Sequence, residues 1–260
     1  MNLMKSKNTK YDEYEALLLE RDQIRKEAGQ IWTAYIRQFG RLITDLFEEK
    51  LECIKCKKTI AYYQNALNYG RAINPQAMQE FLEREMAAYN SQLKRMIEEN
   101  ERCQHSKMST AYEVRRSKAL YRRLAKLIHP DIFPETDKND VLRELWDRIL
   151  TAYKRNDVKA LAELEVLVRK ALGELGFGEI RIDIPDIEER IGDLKTEIDD
   201  ILHTEPYIHK YLLEDNVAAC RKKKELEEEL ETWRNYHNEL DGYIEDMVQI
   251  GGVRIRWQVS

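Results

Sequence analysis

Residues 71–172 contain no glycine. Glycine is the residue that most readily adopts positive φ, so a stretch this long without it has few places for tight turns. The chain is thereby confined largely to long helices joined at a handful of corners. Composition points the same way: 35% of residues are charged, 9% are aromatic, and there are only ten glycines and five prolines. Such a chain favours extended helix and coiled coil. The net charge of −5 gives no general attraction to a polyanion. No apolar run approaches the roughly 18 residues of a membrane span, and the first fifteen residues lack an apolar signal core. A cytoplasmic protein with no membrane association is expected.

Helical periodicity organises the N-terminal part. Leu42, Leu46, Cys53, Cys56, Ile60, Tyr63 and Leu67 fall on one stripe, and Leu82, Met86, Tyr89, Leu93, Met96 and Cys103 on another. Residues 11–69 read as helix, with Gly29 and Gly40 as candidate breaks, and 75–105 as a return arm. Between them Gly70 suits a helix end, Asn74 an N-cap and Pro75 a first helical position. The two stripes are expected to face each other, with Leu67 opposite Leu82 and Cys53 opposite Met96. In that register Cys103 lies about 10 Å of helix beyond Cys53, too far to share one ion. Cys53 and Cys56 then read as buried structural thiols. Four cysteines are also too few for a disulfide scaffold. No metal and no cofactor are expected.

Residues 158–174 form a further amphipathic helix, and GELGFGE at 173–179 reads as a linker. Beyond it Ile180, Ile182 and Ile184 alternate with polar residues, as do Val253, Ile255, Trp257 and Val259, which are period-two strand signals. Between them run 4-3 steps from Ile187 to Ile201 and from Leu226 through Trp233 and His237 to Met247, the spacing of a coiled coil. The expected fold class is mainly α: long helical hairpins and coiled coil around a helix-loop-helix, with a minor two-stranded β element near the C-terminus. Three segments follow: helical arms at 1–107, a helical unit at 108–174, and a C-terminal helical hairpin with two short strands at 175–260. The Leu226–Met247 stripe outlasts its proposed mate, so a homo-oligomer through this coiled coil is expected.

Chemistry-bearing patterns concentrate between 107 and 153. Tyr121-Arg-Arg-Leu-Ala-Lys-Leu-Ile-His-Pro-Asp131 is a basic amphipathic helix ending at Pro130, which lacks an N–H and biases the preceding residue away from helical geometry. Residues 107–126 carry seven basic residues and one acid. Arg115, Lys118, Arg122 and Lys126 share a helix face by their three- and four-residue steps, with Arg123 beside it. Such a face is either solvated and internally paired, or a dock for an acidic surface; nucleic acid is disfavoured for want of interleaved aromatics. No Cys, His or Glu stands at metal-ligand spacing around His129, and His237, on the coiled-coil seam, reads as a register-setting polar residue and not a metal ligand. No phosphate loop, nucleophile elbow or zinc-protease motif occurs. An enzyme is not expected.

The stretch from Tyr121 to Asp131 resembles helix II and the signature loop of J-domains, the DnaJ-type cochaperones that stimulate ATP hydrolysis by DnaK-type chaperones. The resemblance covers about residues 108–155. Tyr121, Leu124 and Ala125 stand where the family has helix II core contacts. Trp146, Ile149, Ala152 and Tyr153 follow its helix III pattern. It implies a J-like unit embedded in a coiled-coil protein. His129, Pro130 and Asp131, with Arg115, Lys118, Arg122, Arg123 and Lys126, would bind a DnaK-type chaperone, and the coiled-coil arms would contact clients or partners. The chain departs from the family at Leu127, Ile128 and Ile132, where aromatic or basic residues are usual. The alternative is therefore a structural coiled-coil adaptor whose J-like unit is degenerate and does not stimulate the ATPase.

Overall fold

Gly29 and Gly40 do not break the first helix. The computed structural model describes residues 2–177, 186–249 and 252–253, with side chains from residue 10 onward. In it α1 runs uninterrupted over Asn2–Asn68. A helical glycine costs only about 1 kcal/mol relative to alanine. Burial of Ala28, Ile31, Ile36 and Phe39 on either side outweighs that. Gly70 then turns the chain at φ +60, Asn74 accepts hydrogen bonds from the Gln76 and Ala77 N–H groups, and Pro75 opens α2 (Pro75–His105). The remaining helices are α3 (Ala111–Ile128), α4 (Glu135–Lys138), α5 (Asp140–Lys154), α6 (Val158–Glu174), α7 (Ile187–His203), α8 (Lys210–Glu214) and α9 (Asn216–Gln249). None of them is long and apolar enough to cross a membrane.

Mainly α therefore stands, but the β element does not: no strand occurs among the described residues. Val253, where the second strand was expected to begin, turns its N–H back onto the Met247 carbonyl at 3.3 Å. Its side chain is buried with Tyr63, Ala66, Ile73 and Met247. The backbone group that a ladder would need is used to finish α9. Ile180, Ile182, Ile184, Ile255, Trp257 and Val259 lie outside the described residues.

Packing divides the chain into two units built from discontinuous segments, 1–31 with 107–208 and 32–106 with 209–260. The boundaries differ from the consecutive segments 1–107, 108–174 and 175–260 because α1 supplies core residues to both units. In the first unit, α3, α5 and α6 bury Leu120, Leu124, Leu142, Ile149, Leu161 and Val168 together with Leu19 of α1. Tyr14 and Leu18 of α1 pack with Ile132, Ile191 and Leu194. In the second, Tyr35, Phe39 and Leu46 pack with Cys103, Leu226 and Leu230.

Two expected pairings change. The stripes of α7 and α9 do not form one hairpin core; α7 packs on Tyr14 and Leu18, and α9 on Tyr35 to Leu46. A 4-3 repeat specifies an apolar face, not its mate. The α9 seam, with Trp233 packed against its margin, is thus covered within its own unit. The return arm is antiparallel as expected but in another register: Lys58 meets Glu85 at 2.8 Å, where the expected register would put residue 91. The Cys53 thiol reaches the Trp233 carbonyl at 3.6 Å and Cys56 the Asp241 carboxylate at 3.3 Å, so these two thiols face α9, while Leu46 of the same stripe packs with both Cys103 of α2 and Leu226 of α9.

Candidate functional site

The helix before the corner is fixed at both ends by its own sequence. Thr110 and Glu113 form a capping box, the Glu113 N–H donating to the Thr110 hydroxyl at 3.2 Å and the Thr110 N–H to the Glu113 carboxylate at 2.7 Å. At the other end Pro130 forces His129 into extended geometry at φ −63, ψ 127. The chain then tightens around the His129 carbonyl, which accepts from the N–H groups of Ile132 (2.9 Å) and Phe133 (2.7 Å). The Thr136 hydroxyl closes the turn on the Ile128 carbonyl at 3.0 Å. Ile132 and Phe133 are buried.

All seven core positions of the helix pair are buried in a single cluster: Tyr121, Leu124, Ala125, Trp146, Ile149, Ala152 and Tyr153. The Tyr121 and Tyr153 rings stack at 3.9 Å and 6°. Trp146 meets the His129 ring edge-on at 4.8 Å. The sequence pattern thus names a real interior. Such aromatic contacts contribute about 0.5–1.5 kcal/mol beyond their buried area.

His129 does not project from the corner. It is only 4% exposed. Its Nδ1 accepts the Asp131 N–H at 3.1 Å, which puts the ring proton on Nε2, 3.3 Å from the Asp22 carboxylate on α1. Asp22 is the hub of this arrangement: it also accepts the Tyr121 hydroxyl at 2.6 Å and the Arg21 guanidinium at 3.0 Å. Burial pushes the Asp22 carboxyl up, but the hydrogen bonds from His129 and Tyr121 and the Arg21 charge more than offset this and hold it at about 2. Asp131 takes Arg21 at 3.4 Å and keeps its side chain 41% exposed. Pro130 is half-buried.

One helical turn further along α1, Lys26 is buried. Its ammonium donates to Asn156 at 2.5 Å and Ser117 at 3.3 Å and lies 3.7 Å over the Tyr153 ring. Burial lowers its pKa to about 8, with Lys118 adding to the effect. Asn156 sits at φ 54, a left-handed conformation that asparagine tolerates, just past the end of α5. Arg21, Asp22 and Lys26 were not anticipated as part of the corner, nor was Gln23, which accepts the Tyr153 hydroxyl at 2.5 Å. Their signal is present: Tyr14 and Leu18 step by four to Asp22 and Lys26, so polar groups continue an apolar stripe and need partners.

The basic face is only partly free. Arg123 is held by Glu165 of α6 in two hydrogen bonds of 3.0 and 2.7 Å, and Lys126 pairs with Glu15 of α1 at 2.5 Å. Neither turns to α5. Arg115 and Arg122 are exposed and Lys118 is half-buried; none of the three makes an ion pair among the described residues. The site can present cations and one carboxylate to an acidic or mixed surface. Compared with models of known families, with curated proteins and with solved structures, the chain gives no significant match.

Proposed function

We propose that the protein is a non-enzymatic, J-domain-like cochaperone that binds a DnaK-type chaperone in the cytoplasm and stimulates its ATPase. The observation that carries this reading is the burial of Tyr121, Leu124, Ala125, Trp146, Ile149, Ala152 and Tyr153 in one core, which leaves a braced corner beside the exposed Arg115 and Arg122. In this reading Asp131, Arg115, Lys118 and Arg122 touch the chaperone. His129 works from inside, holding the Asp131 N–H and so the shape of the turn. Cationic faces of this kind act more on association rate and salt dependence than on affinity. The helices of the second unit supply client or partner contacts.

A second reading has its own support. Arg21 on Asp131 and Asp22 on His129 close the corner from within the same unit, as in an adaptor whose J-like unit no longer stimulates. Single-turnover ATP hydrolysis by a DnaK-type protein separates the two. Stimulation that falls with Asp131→Asn, with Arg122→Glu and with added salt supports the cochaperone. Stimulation absent from wild type and from Arg21→Ala alike supports the adaptor.

A further inference from the structure

The turn of α1 that carries Cys56 meets α9 at a set of groups that neither reading uses. His237 and Asp241 are four residues apart on α9, so both project from one face. Cys56 enters from α1 and is buried. Its Sγ lies 3.3 Å from Asp241 Oδ1, and His237 Nε2 lies 3.5 Å from Asp241 Oδ2. One sulfur, one nitrogen and one oxygen donor atom all fall within 4.8 Å of one another.

We propose that Cys56, His237 and Asp241 form a binding site for a divalent transition-metal ion of the zinc class. Three observations support it. The donor set is the mixed thiolate, imidazole and carboxylate that a borderline-soft cation prefers over magnesium or calcium. The spacing is close to what zinc needs: bonds of about 2.3 Å to sulfur and 2.0–2.2 Å to nitrogen and oxygen, arranged tetrahedrally, put donors roughly 3.3–3.6 Å apart; Cys56 and His237 each stand at such a distance from a different oxygen of Asp241, and a rotation of that carboxylate within the 4.8 Å cluster brings the set onto one ion. The third observation is the orientation of the imidazole. Glu49 of α1 lies 2.5 Å from His237 Nδ1, so the proton sits there and the Nε2 lone pair points toward Cys56 and Asp241. A carboxylate behind a histidine is the usual arrangement by which metal-binding imidazoles are held.

Glu49 is the positioning residue and does not itself ligate; Arg234 stands 3.9 Å behind it. Three protein donors leave a fourth position to water or a small ligand, and Asp241 is 56% exposed, so an ion can reach the site from solvent. Binding requires the Cys56 thiol to give its proton to solvent, so affinity rises with pH. Cys53, one turn away, is committed to the Trp233 carbonyl and is not a ligand.

The bare arrangement has a competing use: a protonated His237 clamped between Glu49 and Asp241 needs no metal. Chelator-treated full-length protein titrated with Zn²⁺ by calorimetry, and with Co²⁺ by absorption, decides between them. The expected result is one equivalent of Zn²⁺ and a thiolate-to-cobalt charge-transfer band. Cys56→Ala and His237→Gln should abolish both, Cys53→Ala should keep them, and Glu49→Gln should weaken zinc binding by about ten- to a hundredfold. Circular dichroism of each apo variant confirms that helicity is intact. No uptake of either ion by wild type, or uptake that survives Cys56→Ala and His237→Gln, overturns the proposal.

Discussion

Asp22→Asn tests whether the corner is built around a buried carboxylate. Asparagine keeps the shape and one acceptor but removes the charge that faces His129, Tyr121 and Arg21. The fall of the carboxyl pKa from 3.8 to about 2 corresponds to roughly 2 kcal/mol at about 1.4 kcal/mol per tenfold change in proton affinity. The side chain is only 11% exposed, so solvent screening reduces this little. The loss in Asp22→Asn should be about 2 kcal/mol at pH 7, below the roughly 3–5 kcal/mol of breaking a buried pair outright because the isostere still accepts one hydrogen bond. The pH dependence is signed. A carboxyl whose folded pKa lies below its unfolded one stabilises the fold fully above the unfolded value and loses that contribution as pH falls through the folded value. Wild type and variant should therefore converge between about pH 4 and pH 2. Urea unfolding, followed in a form that keeps Trp146 as its only tryptophan, reads the first unit alone. A difference below about 0.5 kcal/mol at pH 7, or one that stays constant down to pH 2, would refute the hub role of Asp22.

Two more predictions are independent of this one. Lys26 has a folded pKa of about 8 against 10.5 unfolded, so between those values the unfolded chain holds the extra proton and stability should rise with pH, by at most about 3 kcal/mol. Above about pH 10 the raised hydroxyls of Tyr121 and Tyr153 reverse the slope; Lys26→Met should flatten the rise and keep the fall, as chemical unfolding at pH 7.5 to 10.5 would record. For the two mid-helix glycines, an added Cβ at Gly29 meets nothing within 4 Å, whereas at Gly40 it comes 2.9 Å from Ile36 Cγ2 and 3.0 Å from Asn100 Oδ1. Gly29→Ala should raise stability by up to about 1 kcal/mol and Gly40→Ala should not; equal melting temperatures for the two variants would contradict this account of α1.

What the sequence by itself determined was local. The Asn74–Pro75 start of α2, the stop at Pro130 and the burial of Tyr121, Leu124, Trp146, Ile149 and Tyr153 each depend on neighbours within a turn or two. Capping chemistry and 3.6-residue periodicity carry that information directly. At Val253 the strand signal failed because its N–H is spent on the Met247 carbonyl and its side chain on a helical core, contacts that an alternating pattern does not record. Only the tertiary structure decided which faces meet. An apolar stripe is non-directional, and its burial is favourable against any matching surface. Nothing in the heptads of α7 or α9 names Tyr14 or Phe39 as partners, and nothing near Cys56 names His237. The same holds at the corner: His129 looks like a free polar tip within its own tripeptide. It became an interior group because α1, more than a hundred residues earlier in the chain, brings Asp22 to it. A contact between residues so far apart has no local periodicity to record it, and it exists only once the helices have packed.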